Sequence, residues 1–170
     1  EDFVRDKDSV SAAILFGEIA AWAKDNGKTL YEMLQDIYVE YGFSKESGIS
    51  VTKEGRSGAE KIEAMMKSFR ENPIKEIAGS KVILIKDFAT LKAQDLDLGE
   101  TYTLQMPTTS NVLQFFTQDK TKVSIRPSGT EPKIKFYIEV HSKLASRADY
   151  DAVNAAAENK IKEVCKDLGI

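Results

Sequence analysis

The chain has 170 residues, 42% hydrophobic, 30% charged and 9% aromatic, an ordinary globular composition that excludes a collagen, a disordered tail and a membrane channel. Twenty-four basic residues against 27 acidic ones give a net charge of −3, where general nucleic-acid binding calls for a basic balance. One cysteine, Cys165, and one histidine, His141, leave no internal disulfide framework and no Cys- or His-rich metal site, a usage that fits the cytoplasm.

The sequence begins with Glu1 rather than Met and is expected to be a piece of a longer protein. No basic-then-apolar leader directs it to secretion. The longest apolar stretch, 12–23, contains Glu18 and is too short to cross a bilayer. The first helix is predicted over Val10–Asp25, capped by Asp8 or Ser9 and closed by Asn26-Gly27. It is apolar nearly all round, which predicts burial on several sides, with Phe16 and Trp22 in the core. A second helix, Leu30–Tyr41, is capped by Thr29 and stopped by Gly42. Its apolar positions follow the helical period, and Tyr31, Tyr38 and Tyr41 read as packing residues.

After Gly42 the texture turns polar. Ile49 and Val51 lie in a short alternating run, a predicted strand. A helix follows from Gly58 to Glu71, with Ile62, Met65, Met66 and Phe69 on one face, ended by Asn72-Pro73. Lys81–Lys86 reads as a strand, and Asp87–Pro107 as irregular chain. Asn111–Thr117 and Lys122–Arg126 are the next strands. Lys133–His141 alternates cleanly, with Ile134, Phe136, Ile138 and Val140 on one face, the pattern of a half-buried antiparallel strand. A last helix is predicted over Arg147–Leu168. The sum is an α+β domain over 44–170, an antiparallel sheet with helices packed on one face. The two helices of 1–43 are left from a preceding α/β domain. Charge marks the same break: residues 1–42 carry four basic and nine acidic residues, net −5, which leaves +2 for the rest of a chain at −3.

One loop collects anion-binding parts: Arg126-Pro127-Ser128-Gly129-Thr130-Glu131-Pro132. Arg126 offers a planar fork of donors matched to phosphate oxygens, and Ser128 and Thr130 offer hydroxyls. Gly129 permits a positive φ and close approach, and consecutive N–H groups around it can form an anion nest. Between Lys120 and Lys135 stand five basic residues and one acid, Glu131, the latter expected to pair with Lys133. Good turn chemistry and edge-strand lysines are the competing account of the same residues.

Residues 126–140, RPSGTEPKIKFYIEV, closely resemble the phosphate-binding loop and following strand of the last domain of the α-D-phosphohexomutases, the phosphoglucomutases and phosphomannomutases. Phe3-Val4-Arg5-Asp6-Lys7-Asp8 and the alanine-rich helix behind it look like the end of that family's third domain. Residues 44–170 look like its whole fourth domain, of TATA-box-binding-protein-like fold. The resemblance implies interconversion of hexose 1-phosphate and hexose 6-phosphate through a phosphoserine and a bisphosphate intermediate. The phosphoserine loop, the aspartate loop for Mg2+ and the sugar-recognition motif would lie in missing N-terminal domains. Carried over position by position, Arg126, Ser128, Gly129, Thr130, Lys135 and Lys7 match substrate-phosphate contacts. The resemblance therefore implies no catalytic residue and no metal ligand in this chain, no activity for the fragment alone, and no nucleic-acid or membrane partner. A hinge is expected around Gly42–Ser47. The alternative is a non-catalytic module using the same loop for a phosphorylated partner or RNA. His141 reads as a solvated strand end and Cys165 as half-buried and inert.

Overall fold

Residues 7–53 and 56–170 are described by the computed structural model and divide into two units. The first holds the described residues up to Phe43 together with Lys143–Asp151; the second holds Ser44–Ser142 and Ala152–Ile170. Phe3-Val4-Arg5-Asp6, part of the resemblance above, lies outside the described residues.

In the first unit Asp8 caps helix α1 (Ser9–Asp25). Its carboxylate accepts from the N–H groups of Val10 at 2.9 Å and Ser11 at 3.4 Å, satisfying donors that the first turn cannot pair internally. The expected burial of this helix is not found. Only Ala23 is buried, while Phe16 is 62% and Trp22 54% exposed. An all-round apolar helix needs several neighbours, and within this unit α2 is the helix that packs on it. Helix α2 (Leu30–Tyr41) starts in a complete capping box. The Glu32 N–H donates to Thr29 Oγ1 at 3.1 Å, and the Thr29 N–H donates to Glu32 Oε2 at 2.8 Å, two orphan donors met reciprocally. Of the three tyrosines, Tyr31 packs on Tyr150 and Tyr38 on Phe43, with ring centroids 5.4 and 5.0 Å apart. Tyr41 is exposed instead of packed, because it falls at the helix end beside Gly42.

The last helix is preceded by a 3-10 turn, Arg147–Asp149, and α4 itself runs Tyr150–Leu168. The Arg147 fork grips Asp36 through Nε and Nη2 at 2.5 and 2.6 Å, and Lys28 Nζ donates to the same carboxylate at 2.7 Å. These hydrogen bonds, Arg147 first and Lys28 second, hold the Asp36 carboxyl well below the usual carboxylate range.

The second unit is built on strands β1 (Phe43–Thr52), β2 (Glu76–Ile77), β3 (Ser80–Asp87), β4 (Lys92–Asp95), β5 (Glu100–Thr103), β6 (Leu113–Thr117), β7 (Lys122–Pro127) and β8 (Lys133–Ser142). The first strand is longer than the Ile49–Val51 run suggests. The order is β1-β8-β7-β6-β3-β4-β5, with β2 on β3. The stretch read as irregular carries the β4–β5 hairpin. Its turn is held by Asp95, whose Oδ1 accepts from the N–H groups of Asp97 and Leu98 at 3.0 and 2.9 Å, with Gly99 at φ +71°. Only Ala93 of this hairpin is buried, so no apolar alternation announces it.

Helix α3 (Arg56–Glu71) and α4 cover one face of the sheet. On that face Phe115 pairs across to Val123, Val123 to Ile138, and Ile125 to Phe136. All five are essentially inaccessible to water. Each such side chain contributes roughly 1.5–3 kcal/mol by leaving water. Phe69 of α3 bridges Phe115 and Phe136 edge-on at 6.5 and 6.3 Å, a preferred aromatic geometry. The alternate residues of the same strands form the other face, which among the described residues no helix of this unit covers and which is called the uncovered face below.

Candidate functional site

The site grows from the β7–β8 connection. Strand alternation puts Val123 and Ile125 in the core, so Ser124 and Arg126 stand on the uncovered face. On β8 the same rule puts Lys135, Tyr137 and Glu139 there. Register makes Arg126 and Lys135 direct cross-strand partners. Like charges directly opposite are destabilising in a sheet, and here no acid separates them. The Arg126 side chain is exposed and has no hydrogen bond or ion pair among the described residues. The two nearest lysines differ. Lys133 is ion-paired with Glu131, as expected from the sequence, and Lys122 Nζ with Glu139 Oε2 at 2.5 Å. The Lys133 contact first, and the more distant Lys135 charge after it, hold the Glu131 carboxyl below its usual range. The acid of the loop is thus occupied by Lys133, and the Arg126–Lys135 row keeps its positive charge.

The loop is closed at its base by the Ser128 N–H, which donates to the Lys133 carbonyl at 2.8 Å. The Lys133 N–H donates to the Glu131 carbonyl at 2.7 Å, and Lys53 N–H to the Pro132 carbonyl at 2.9 Å. Ser128 Oγ accepts from the Thr130 N–H at 3.5 Å, which leaves its O–H as a donor. The N–H groups of Gly129 and Glu131 have no partner among the described residues. A fork, two hydroxyls, unpaired amides and an opposed lysine make an arrangement rich in donors, and such an arrangement suits an anion chemically. One expectation fails. Gly129 is not in the left-handed region, and a Cβ built on it meets nothing within 4 Å. The loop conformation does not require glycine here; its missing side chain leaves open approach from solvent.

The hairpin therefore brings together Arg126, Ser128, Gly129, Thr130 and Lys135. Lys7 belongs to the first unit, where it is exposed one residue before the Asp8 cap. His141 is half-exposed with Nε2 2.9 Å from Glu139 Oε1, and burial pushes the Cys165 thiol up, so neither presents a nucleophile. What the sequence does not reveal is the next row on the uncovered face, Gln114, Ser124 and Tyr137, because only register aligns residues from three strands.

The family model for the phosphoglucomutase/phosphomannomutase C-terminal domain matches residues 51–157. A phosphoglucomutase of Staphylococcus aureus is 41% identical over 140 residues, covering 82% of this chain and 25% of that protein. A phosphoglucomutase of Staphylococcus haemolyticus is 34% identical over 154 residues, covering 91% and 28%. The crystal structure of the exocytosis-sensitive phosphoprotein parafusin from Paramecium, a phosphoglucomutase in its open form, has a similar fold. It superposes with a TM-score of 0.54 at 18% identity, over 98% of this chain and 28% of that one. The chain thus spans about a quarter of the length of these relatives.

Proposed function

The chain belongs to the phosphoglucomutase/phosphomannomutase family, carrying its C-terminal domain, and we propose that it is the substrate-phosphate-binding part of a cytoplasmic enzyme that interconverts hexose 1-phosphate and hexose 6-phosphate. The single observation that carries this reading is the cross-strand Arg126–Lys135 pair at the base of a donor-rich loop, neither side chain being in an ion pair among the described residues. An anion seated there relieves the cross-strand repulsion, and a tetrahedral phosphate matches the Arg126 fork bidentately. Ser128 and Thr130 hydroxyls and the Gly129 amide complete the cradle, with Lys135 opposite. Lys7, in the first unit, is proposed as a further contact near the substrate. Residues 1–43 are proposed as closing helices of the preceding domain, which the water-exposed Phe16 and Trp22 of α1 support, and 44–170 as the terminal domain.

In this reading a phosphoserine on a preceding domain passes its phosphoryl group to a sugar hydroxyl. The serine P–O bond breaks as the sugar P–O bond forms, and the hydroxyl proton leaves to a base outside this chain. The resulting bisphosphate turns over and returns the other phosphoryl group to the serine. This chain's residues hold the phosphate that is not reacting. Phosphoryl transfer depends mostly on position and charge stabilisation, so a group that never touches the reacting atom still governs rate. The family implies Mg2+, but among the described residues no three His, Cys, Asp or Glu side chains come together to hold a metal ion. The ion is assigned to the preceding domains and no step here runs through it. Among the described residues no helix is long and apolar enough to cross a membrane.

The test joins this chain to its preceding domains and measures turnover. Arg126→Ala is expected to cut hexose phosphate interconversion about a hundredfold, the scale of losing one preorganised donor, with the fold unchanged. Unimpaired turnover would refute the assignment.

A further inference from the structure

Beside the phosphate loop, the uncovered sheet face carries a groove of about 380 Å³ lined by residues that include Ser47, Gln114, Lys122, Ser124, Tyr137 and Glu139. We infer that this groove is a subsite for the sugar ring of a hexose phosphate, with Tyr137 as its platform and Gln114 as its hydrogen-bonding group. The inference rests on the phosphate-loop reading and extends it from an anion to the ring that bears it.

Register carries the argument. Ser124 pairs with Gln114 on one side and Tyr137 on the other, and the neighbouring same-face row is Arg126 with Lys135. Same-face rows lie two residues apart, about 7 Å along a strand, a separation that the long Arg126 and Lys135 side chains can bridge toward a phosphate borne by a ring over Tyr137. A pyranose presents an apolar C–H face and a rim of hydroxyls. Tyr137, 45% exposed, offers an apolar ring face with a polar tip. Ser124 is nearly buried, and its Oγ accepts from Gln114 Nε2 at 2.9 Å. That bond fixes the amide and leaves its carbonyl oxygen and second N–H as an acceptor–donor pair suited to vicinal hydroxyls. Charge on the far side excludes a second anion. The next row pairs Lys122 with Glu139, so positive charge there is already neutralised. The face therefore runs from a cationic row to a neutral polar row, matching a phosphate followed by hydroxyls. The volume falls within the roughly 300–1,000 Å³ of small-molecule sites.

The experiment is an amide NMR titration of the 170-residue chain with inorganic phosphate, glucose 1-phosphate and glucose 6-phosphate. Inorganic phosphate is expected to shift Arg126 to Thr130 and Lys135. The hexose phosphates are expected to shift these and also Gln114, Ser124 and Tyr137, binding about five- to tenfold more tightly, the worth of one or two added hydrogen bonds. Tyr137→Leu and, independently, Gln114→Leu should erase that preference and leave inorganic phosphate binding intact, which shows the loop still folded. Identical shifts and affinities for all three ligands would overturn the sugar subsite while leaving the phosphate loop standing. A preference for hexose phosphates that survives both substitutions would also overturn it. No response at Arg126 to Thr130 with any ligand would overturn the phosphate loop, and the subsite with it.

Discussion

The two faces of the sheet are made from alternate residues of the same strands, yet they answer to different physics. On the covered face, Val123, Ile125, Phe136 and Ile138 meet apolar partners across the register. On the uncovered face, Ser124, Arg126, Lys135 and Tyr137 meet polar or charged partners across the register. One face gains free energy by leaving water. The other holds Arg126 against Lys135 at a cost to the folded chain. The comparison teaches that stability and binding are separable here strand by strand, since neighbouring residues point to opposite sides.

Substitutions at adjacent positions should therefore diverge. The largest effect on stability is expected for Phe136→Ala, which empties a fully buried ring site. Large cavities of this kind cost about 3–5 kcal/mol, read as a drop in the urea midpoint. Arg126→Ala, one residue beyond Ile125, the cross-strand partner of Phe136, should do the reverse. It should weaken phosphate binding by at least about tenfold, the worth of a charge-assisted hydrogen bond, and leave the midpoint unchanged or slightly raised. A marked loss of stability in Arg126→Ala would break the comparison.

A smaller effect is expected where a side chain ties the sheet to α4. Asp119 accepts from Thr117 Oγ1 at 2.7 Å and the Thr121 N–H at 3.2 Å, and it is ion-paired with Lys160. Burial pushes its carboxyl up, but the hydrogen bonds from Lys160, Thr117 and Thr121 outweigh that and hold it well below the usual range. Asp119→Ala should cost about 1–2 kcal/mol. A depressed folded pKa means the unfolded state binds the proton more readily, so stability falls as pH falls. The Asp119 contribution, like that of Asp36 in the first unit, is full above the ordinary carboxylate range near pH 4. It is lost progressively below that. A flat stability profile between pH 5 and pH 2 in the wild type would contradict this, with those pH limits set about one unit above and two below the ordinary value.

Smaller still is one change expected to be nearly silent. Gly129→Ala should leave stability within about 0.5 kcal/mol, because the position has open space and no left-handed backbone. A clear destabilisation by alanine would show that the loop needs glycine for its fold.

Much of this was legible from residue types. The cap predicted at Thr29 forms, as part of a capping box with Glu32, and the alternation of Ile134, Phe136, Ile138 and Val140 predicts which face of β8 is buried. The donor-rich character of the loop is readable because Arg126, Ser128 and Thr130 fall within one stretch of five residues. Other features were not readable, for separable reasons. The β4–β5 hairpin is polar on both faces except for Ala93, so it carries no period. The exposure of Phe16 and Trp22 depends on which neighbours surround α1, which a local pattern does not encode. The Gln114–Ser124–Tyr137 row depends on pairing between β6, β7 and β8, and pairing is a tertiary fact.

The most direct test of the central claim compares amide spectra of the wild-type chain and Arg126→Ala on addition of glucose 1-phosphate. The account predicts shifts at Arg126 to Thr130 and at Lys135 in the wild type, lost in a variant whose remaining spectrum overlays. Equal shifts in both proteins, or a wild-type response confined to residues away from the β7–β8 loop, would contradict it.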